Sequence, residues 1–227
     1  MKGSLKRGYR LDARICSLSG VVMIWLFIKG IVLGLAIAAP LGPIGALCIN
    51  RTLARGFRAG VAGGLGTALA DGLYAVLAAA GFAVFSAVLA KVSLPLGLAG
   101  GVFMLWLGWK SLRSNGITTA ATDTGARDLV KVTVTTFLLT LSNPTTILSF
   151  AALFAGLGLA SDGAGALATT AGVFTGSLFW WILLCGTVTL LKHRLPEAFA
   201  LWVARISGLI LIAFGLFALI NALKSLL

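Results

Sequence analysis

Six apolar segments, each long enough to cross a bilayer, constrain this chain more than any other feature of its sequence. A helix needs about 20 apolar residues to span the hydrocarbon core. Of the 227 residues, 59% are hydrophobic and 11% are charged, whereas soluble domains carry about 25% charged residues. The sequence therefore predicts an all-α membrane protein with six transmembrane helices. The segments run approximately over Val21–Cys48, Val61–Ala90, Leu94–Leu112, Val132–Ala160, Ala166–Leu191 and Val203–Leu223.

The first and fourth segments each contain a helix break. The first carries Pro40, Gly42 and Pro43, and the fourth carries Asn143 followed by Pro144. Proline removes a backbone donor and crowds the preceding turn. Because lipid offers no partner for the freed backbone groups, such a break persists only inside protein or beside a watery cavity. Broken helices one and four thus predict a substrate-binding site near the midplane, with a simple structural kink as the alternative.

The two halves of the chain share one spacing in their middle segments. Positions i, i+5 and i+8 are Gly66, Asp71 and Tyr74 in the second segment, and Gly172, Ser177 and Trp180 in the fifth. With three spans per half, the halves have opposite orientations, so we expect two inverted three-helix repeats. Ser177 is then a candidate substrate contact. Tyr74, Trp180 and Trp181 are candidates for lining the cavity, and helix packing is the alternative for the two tryptophans.

Asp71 is the only acidic residue deep inside an apolar segment. A carboxylate at that depth is costly, so such residues usually face the bundle interior and mark ion or proton paths. We therefore predict that Asp71 couples transport to protons. A hydrogen-bonded carboxyl that joins two helices is the structural alternative.

The basic residues lie in clusters between the apolar segments rather than on one face, although the net charge is +12. Such clusters set orientation and contact lipid headgroups, so nucleic acid is not an expected partner. The loops after segments one, three and five carry most of them and are predicted to be cytoplasmic. Residues 1–22 form a basic extension that contradicts this orientation. Translation from Met23 would remove the conflict and leave residues 23–227 as the six-helix transmembrane domain.

Several of these motifs together resemble the lysine exporter (LysE/RhtB-type) family of amino-acid efflux proteins. The matching stretches are Lys29–Gly34, Ala39–Pro43, Arg55–Gly60, Gly66 with Asp71, and Asn143-Pro144. The resemblance implies a transporter rather than an enzyme. It also implies export of an amino acid or derivative across the bacterial inner membrane, driven by the proton gradient or membrane potential. Because Asp71 is the only acidic group available, a neutral substrate is favoured.

Two other functions stay open as alternatives. A divalent-metal exporter would need clusters of histidine and carboxylate ligands in the spans, and His193 is the only histidine. A thiol–disulfide electron carrier would need cysteines near both breaks; Cys48 follows the first, but none lies near Asn143. We expect no cofactor and no metal site. The sequence leaves the oligomeric state open, with a homo-oligomer as one alternative.

Overall fold

Every regular element in the described part of the chain is a helix. The computed structural model describes residues 2–40, 42–79, 82–113, 125–143, 146–147, 149–150, 163–192 and 197–224. The predicted all-α class is confirmed. The helices are α1 (Lys2–Ala38), α2 (Pro43–Arg55), α3 (Phe57–Ala79), α4 (Phe82–Leu112), α5 (Ala126–Leu141), α6 (Ala164–Leu191) and α7 (Glu197–Lys224).

Four helices among the described residues are long and apolar enough to cross a membrane: Gly20–Ala38 within α1, Phe57–Ala79, Ala164–Leu191 and Leu201–Lys224. The second of these, α3, is buried over 67% of its most apolar window, against 33% or less for the others. Helix α3 is therefore the central helix, and it packs against α2, α5 and α6. The exposed surfaces of the other helices are apolar, as at Trp25, Leu183 and Trp202, which suits contact with lipid.

The first break separates α1 from α2. Helix α1 ends at Ala38, and Gly42 is the N-cap of α2 with Pro43 at its first position, where proline's missing N–H costs nothing. Helix α2 then ends at Gly56, whose φ of 86° lies in the region that side chains with a Cβ rarely adopt. The predicted break in segment one is present as two helices in place of one.

The boundary between the second and third apolar segments differs from the prediction. Helix α3 ends at Ala79 and α4 already begins at Phe82, so Lys91 and Pro95 lie inside α4 rather than at a loop and a helix start. The apolar run is continuous here, so composition carries no boundary signal. A proline inside a membrane helix is tolerated where neighbouring groups satisfy the freed carbonyl.

The fourth segment also breaks where its sequence predicts. Helix α5 ends at Leu141, Ser142 forms a turn, and the amide of Ile147 donates to the carbonyl of Asn143 as helical geometry resumes. Pro144, the second half of the predicted motif, lies outside the described residues.

Three pairs of helices approach closely through glycine. Gly34 of α1 lies so near Val173 and Ser177 of α6 that an added Cβ would overlap their backbone atoms, and Gly66 of α3 meets Thr133 of α5 in the same way. In the α4–α7 pair, the facing glycines are Gly101 with Gly215 and Gly108 with Gly208. Small residues let membrane helices approach to backbone contact, which strengthens packing where the hydrophobic effect contributes little.

Candidate functional site

A cavity of about 50 Å³ lies where the two helix breaks meet α3 and α6. Because a buried water needs about 10–15 Å³ of such volume, the space holds only a few waters. Larger molecules require the surrounding helices to move apart. The lining comprises Ile37, Ala38, Pro40, Gly42, Ile44, Gly45, Thr67, Asp71, Asn143, Thr146, Ser149 and Trp181.

Asp71 is 1% exposed, and its two carboxyl oxygens have different surroundings. Oδ2 accepts a hydrogen bond of 2.7 Å from the Ser177 hydroxyl of α6. Oδ1 is buried and has no partner among the described residues. The residues that share a position in the proposed repeats, Asp71 and Ser177, are thus in direct contact. An unpaired buried acceptor is costly, so Oδ1 is suited to a proton or a ligand donor.

The N-terminus of α2 opens onto the same cavity. Gly42, Ile44 and Gly45 line it, and the N-cap of α2 makes no side-chain hydrogen bond to the helix. The first amides of a helix have no intrahelical acceptor. They form a seat for an anion such as a carboxylate. Pro40 lines the cavity. Pro43, which follows Gly42 in the sequence, is buried at the first position of α2.

Two of the aromatic residues predicted to line the cavity, Tyr74 and Trp180, are not among its lining residues. The Tyr74 hydroxyl donates a hydrogen bond of 2.7 Å to the carbonyl of Leu141, which belongs to the last turn of α5 before the break. Trp180 does not line the cavity, whereas Trp181 does. Trp181 lies four residues after Ser177 and therefore on the same face of α6.

Trp181 adds a second unpaired polar atom to the site. Its side chain is 2% exposed and packs on Gly64 of α3. Its indole Nε1 is buried without a hydrogen-bond partner in the described structure. The site also gains Thr67, Thr146 and Ser149, which sequence reasoning missed because their hydroxyls occur in ordinary apolar contexts.

Asn143 is buried and lines the cavity on the side of the second break. In the described part of the chain, no three His, Cys, Asp or Glu side chains come together as metal ligands would. Cys48 and Cys185 are buried free thiols.

A bundle of apolar helices around a small cavity at two helix breaks, with a buried carboxyl group in its lining, is typical of helical membrane transporters. The chain matches the model of the LysE type translocator family over residues 35–222 and belongs to that family. The resemblance read from its motifs is confirmed. The protein is a multi-pass membrane transporter and not an enzyme.

Individual relatives agree with this assignment. YcgF of Bacillus subtilis, provisionally described as an amino acid efflux protein, is 28% identical over 89% of this chain and 99% of its own length. The arginine exporter protein ArgO of Pectobacterium carotovorum is 32% identical over 71% of this chain and 80% of its own. The chemotactic transduction protein ChpE of Pseudomonas aeruginosa is 26% identical over 76% and 86%. No solved structure matches the chain.

Proposed function

We propose that this protein exports an amino acid, or a close derivative, across the bacterial inner membrane by secondary active transport. The observation that carries the proposal is the buried Asp71, which lines the same cavity as the N-terminus of α2 and whose Oδ1 has no partner among the described residues. Membership of the LysE type translocators and the names of YcgF and ArgO support amino acids as the substrate class.

Two groups in the cavity lining complement the two charges of an amino acid. The amides at the start of α2 would bind the carboxylate, and Oδ1 of Asp71 would accept from the ammonium group. Asn143 offers both a donor and an acceptor to the same zwitterion, and Pro144 would keep the second break open beside it. Ser177 holds Asp71 in place through Oδ2.

The same oxygen provides a means of coupling. If Oδ1 binds either a proton or the substrate ammonium, the two exclude each other, and inward proton movement can drive outward substrate movement. The proton gradient or the membrane potential would supply the energy. Asp71 is therefore the proposed proton-coupling residue.

Six spans arranged as two inverted repeats fit the helix contacts. Helix α1 packs on α6 and α5 packs on α3, which are equivalent pairs if the first half corresponds to the second. The contact between α4 and α7 fits the same relation. If the two helices changed places, the pair Gly101–Gly215 would fall where the pair Gly108–Gly208 now lies.

The loops after spans one, three and five would face the cytoplasm. Residues 1–22 would be an extension of the 23–227 transporter domain, and a homo-oligomer is an alternative to a monomer.

The test is gradient-driven efflux from proteoliposomes. The purified protein is reconstituted with a mixture of the common amino acids inside, a pH gradient or potential is imposed, and released amino acids are identified by mass spectrometry. We expect at least one amino acid to leave faster under a gradient. Asp71→Asn should lose this stimulation by about tenfold or more, which corresponds to about 1.4 kcal/mol.

Asp128→Asn is the matched control, since Asp128 is exposed in the first turn of α5. Circular dichroism and size-exclusion chromatography would establish that both variants fold. Equal stimulation of the wild type and Asp71→Asn would remove Asp71 from the mechanism. Absence of amino-acid efflux by the wild type would refute the proposed substrate class.

A further inference from the structure

Arg51 of α2 lies at a junction of three helices. Its guanidinium donates from Nη1 to the hydroxyl of Thr136 on α5. On the α3 side, a Cβ added to Gly63 would stand 3.3 Å from the same nitrogen. Two other arginines follow in the sequence, Arg55 at the end of α2 and Arg58 in the first turn of α3. Both are exposed, whereas Arg51 is partly buried. Arg51 therefore differs from a cation that serves only to orient the chain.

No anion compensates this partly buried charge in the described structure. The acidic side chains that the structure describes are Asp71, which is bonded to Ser177, and Asp128, which is exposed at the start of α5. A cation removed from water without a partner is costly. A guanidinium, with five donors in a planar fork, fits a carboxylate best.

Buried hydroxyl groups connect Arg51 to the cavity. Thr136 and Thr140 follow each other by one turn on α5, and the hydroxyls of Thr140 and Thr67 are 3.4 Å apart. Thr67 lines the cavity beside Asp71. All three threonines are at most 4% exposed. These side chains place a series of buried hydroxyl groups between Arg51 and the cavity.

We propose that Arg51 binds the carboxylate of the transported amino acid before it reaches the cavity, and that its bond to Thr136 closes this entrance when no substrate is present. The inference rests on the proposed function. Helix α2 packs mainly on α3 and α7 and only slightly on α5. The Arg51–Thr136 bond is therefore a principal link between α2 and α5. A carboxylate offers stronger, charge-assisted bonds than a hydroxyl and would displace Thr136.

The test compares an amino acid with its carboxamide, which keeps the ammonium group and lacks the carboxylate. The pair is the amino acid that the wild type exports fastest and its amide, for example L-leucine and L-leucinamide. Each competes for transport of the radiolabelled acid in proteoliposomes. In the wild type the acid should inhibit more strongly than the amide. In Arg51→Gln the inhibition constant of the acid should rise about tenfold, the loss of about 1.4 kcal/mol, with that of the amide unchanged.

Two further variants separate recognition from orientation and folding. Arg51→Lys keeps the positive charge but loses the planar guanidinium that can bind a carboxylate through two hydrogen bonds. Its inhibition constant for the acid should therefore fall between those of the wild type and Arg51→Gln. Arg55→Lys makes the same change at an exposed position of α2 and should preserve the preference for the acid.

An acid-to-amide ratio that is unchanged in Arg51→Gln and Arg51→Lys would overturn this inference while leaving the proposed function intact. A ratio that is unchanged while transport comes to depend on anionic phospholipid would overturn it in favour of a lipid phosphate as the partner. A wild type that transports no amino acid would overturn both proposals.

Discussion

At the scale of single residues, two residues that line the cavity, Asp71 and Trp181, each carry a buried polar atom without a partner among the described residues. Oδ1 of Asp71 can accept a hydrogen bond or a proton, and Nε1 of Trp181 can only donate one. One acceptor and one donor on residues that line the same small cavity suit a ligand that carries both an ammonium and a carboxylate group. Burying such atoms without hydrogen bonds is costly, which indicates that a ligand or water forms hydrogen bonds with them.

Trp181→Phe tests this pairing, because it removes the indole N–H and keeps an aromatic ring against Gly64. Loss of one net hydrogen bond, about 1 kcal/mol, should raise the KM of the exported amino acid about fivefold with the maximal rate little changed. Trp180→Phe is the control, since Trp180 Nε1 is also buried without a partner among the described residues but Trp180 does not line the cavity. A KM that rises equally in both variants would contradict a role for Nε1 in binding.

At the scale of helices, backbone contact between α1 and α6 supports the site. Gly34 touches the backbone at Val173 and Ser177, and Ser177 in turn holds Asp71. Tyr74 of α3 similarly caps the carbonyl of Leu141 where α5 breaks. The elements around the cavity are thus fixed by contacts made one residue or one turn away from it.

Gly34→Ala should weaken this arrangement, because the new Cβ would meet backbone atoms that cannot rotate away. Overpacking of this kind costs about 1–3 kcal/mol, so we expect a lower midpoint of thermal unfolding in detergent together with reduced transport. Gly20→Ala, on the same helix with no atom within 4 Å of the added Cβ, should leave the midpoint unchanged. A midpoint unaffected by Gly34→Ala would show that α1 and α6 separate easily.

At the scale of the whole molecule, the proposed inverted repeats determine which helix ends share a side of the membrane. Helices α1 and α6 would run parallel, as would α3 and α5. The starts of α5 and α6 would then lie on opposite sides, with the start of α5 in the cytoplasm. A single added cysteine at each start makes this measurable.

Asp128→Cys and Ala164→Cys are suitable positions because both residues are exposed, while native Cys48 and Cys185 are buried. With Cys16 replaced by serine, a membrane-impermeant maleimide should label Ala164→Cys in intact spheroplasts and Asp128→Cys only after permeabilisation. The buried native thiols of the parent chain provide the background signal. Labelling of both positions from one side would exclude the six-span arrangement.

Much of the fold follows from local properties of the chain. An apolar run of bilayer length and a proline without an N–H act wherever they occur, so the helical class and the breaks near Pro40 and Asn143 are predictable. The α3–α4 boundary was not, because residues on both sides are equally apolar. The third segment was predicted to begin at Leu94, yet both Leu94 and Pro95 lie inside α4.

The sequence by itself determined a helical membrane protein with interrupted helices and a deep carboxyl group, because span length, proline geometry and the cost of burying Asp71 depend on residue type alone. Only the tertiary structure decided that Trp181 rather than Trp180 lines the cavity, and that Arg51 reaches Thr136. Those contacts depend on how each helix is rotated about its axis. Interhelical packing at glycine sets that rotation, and no single segment encodes it.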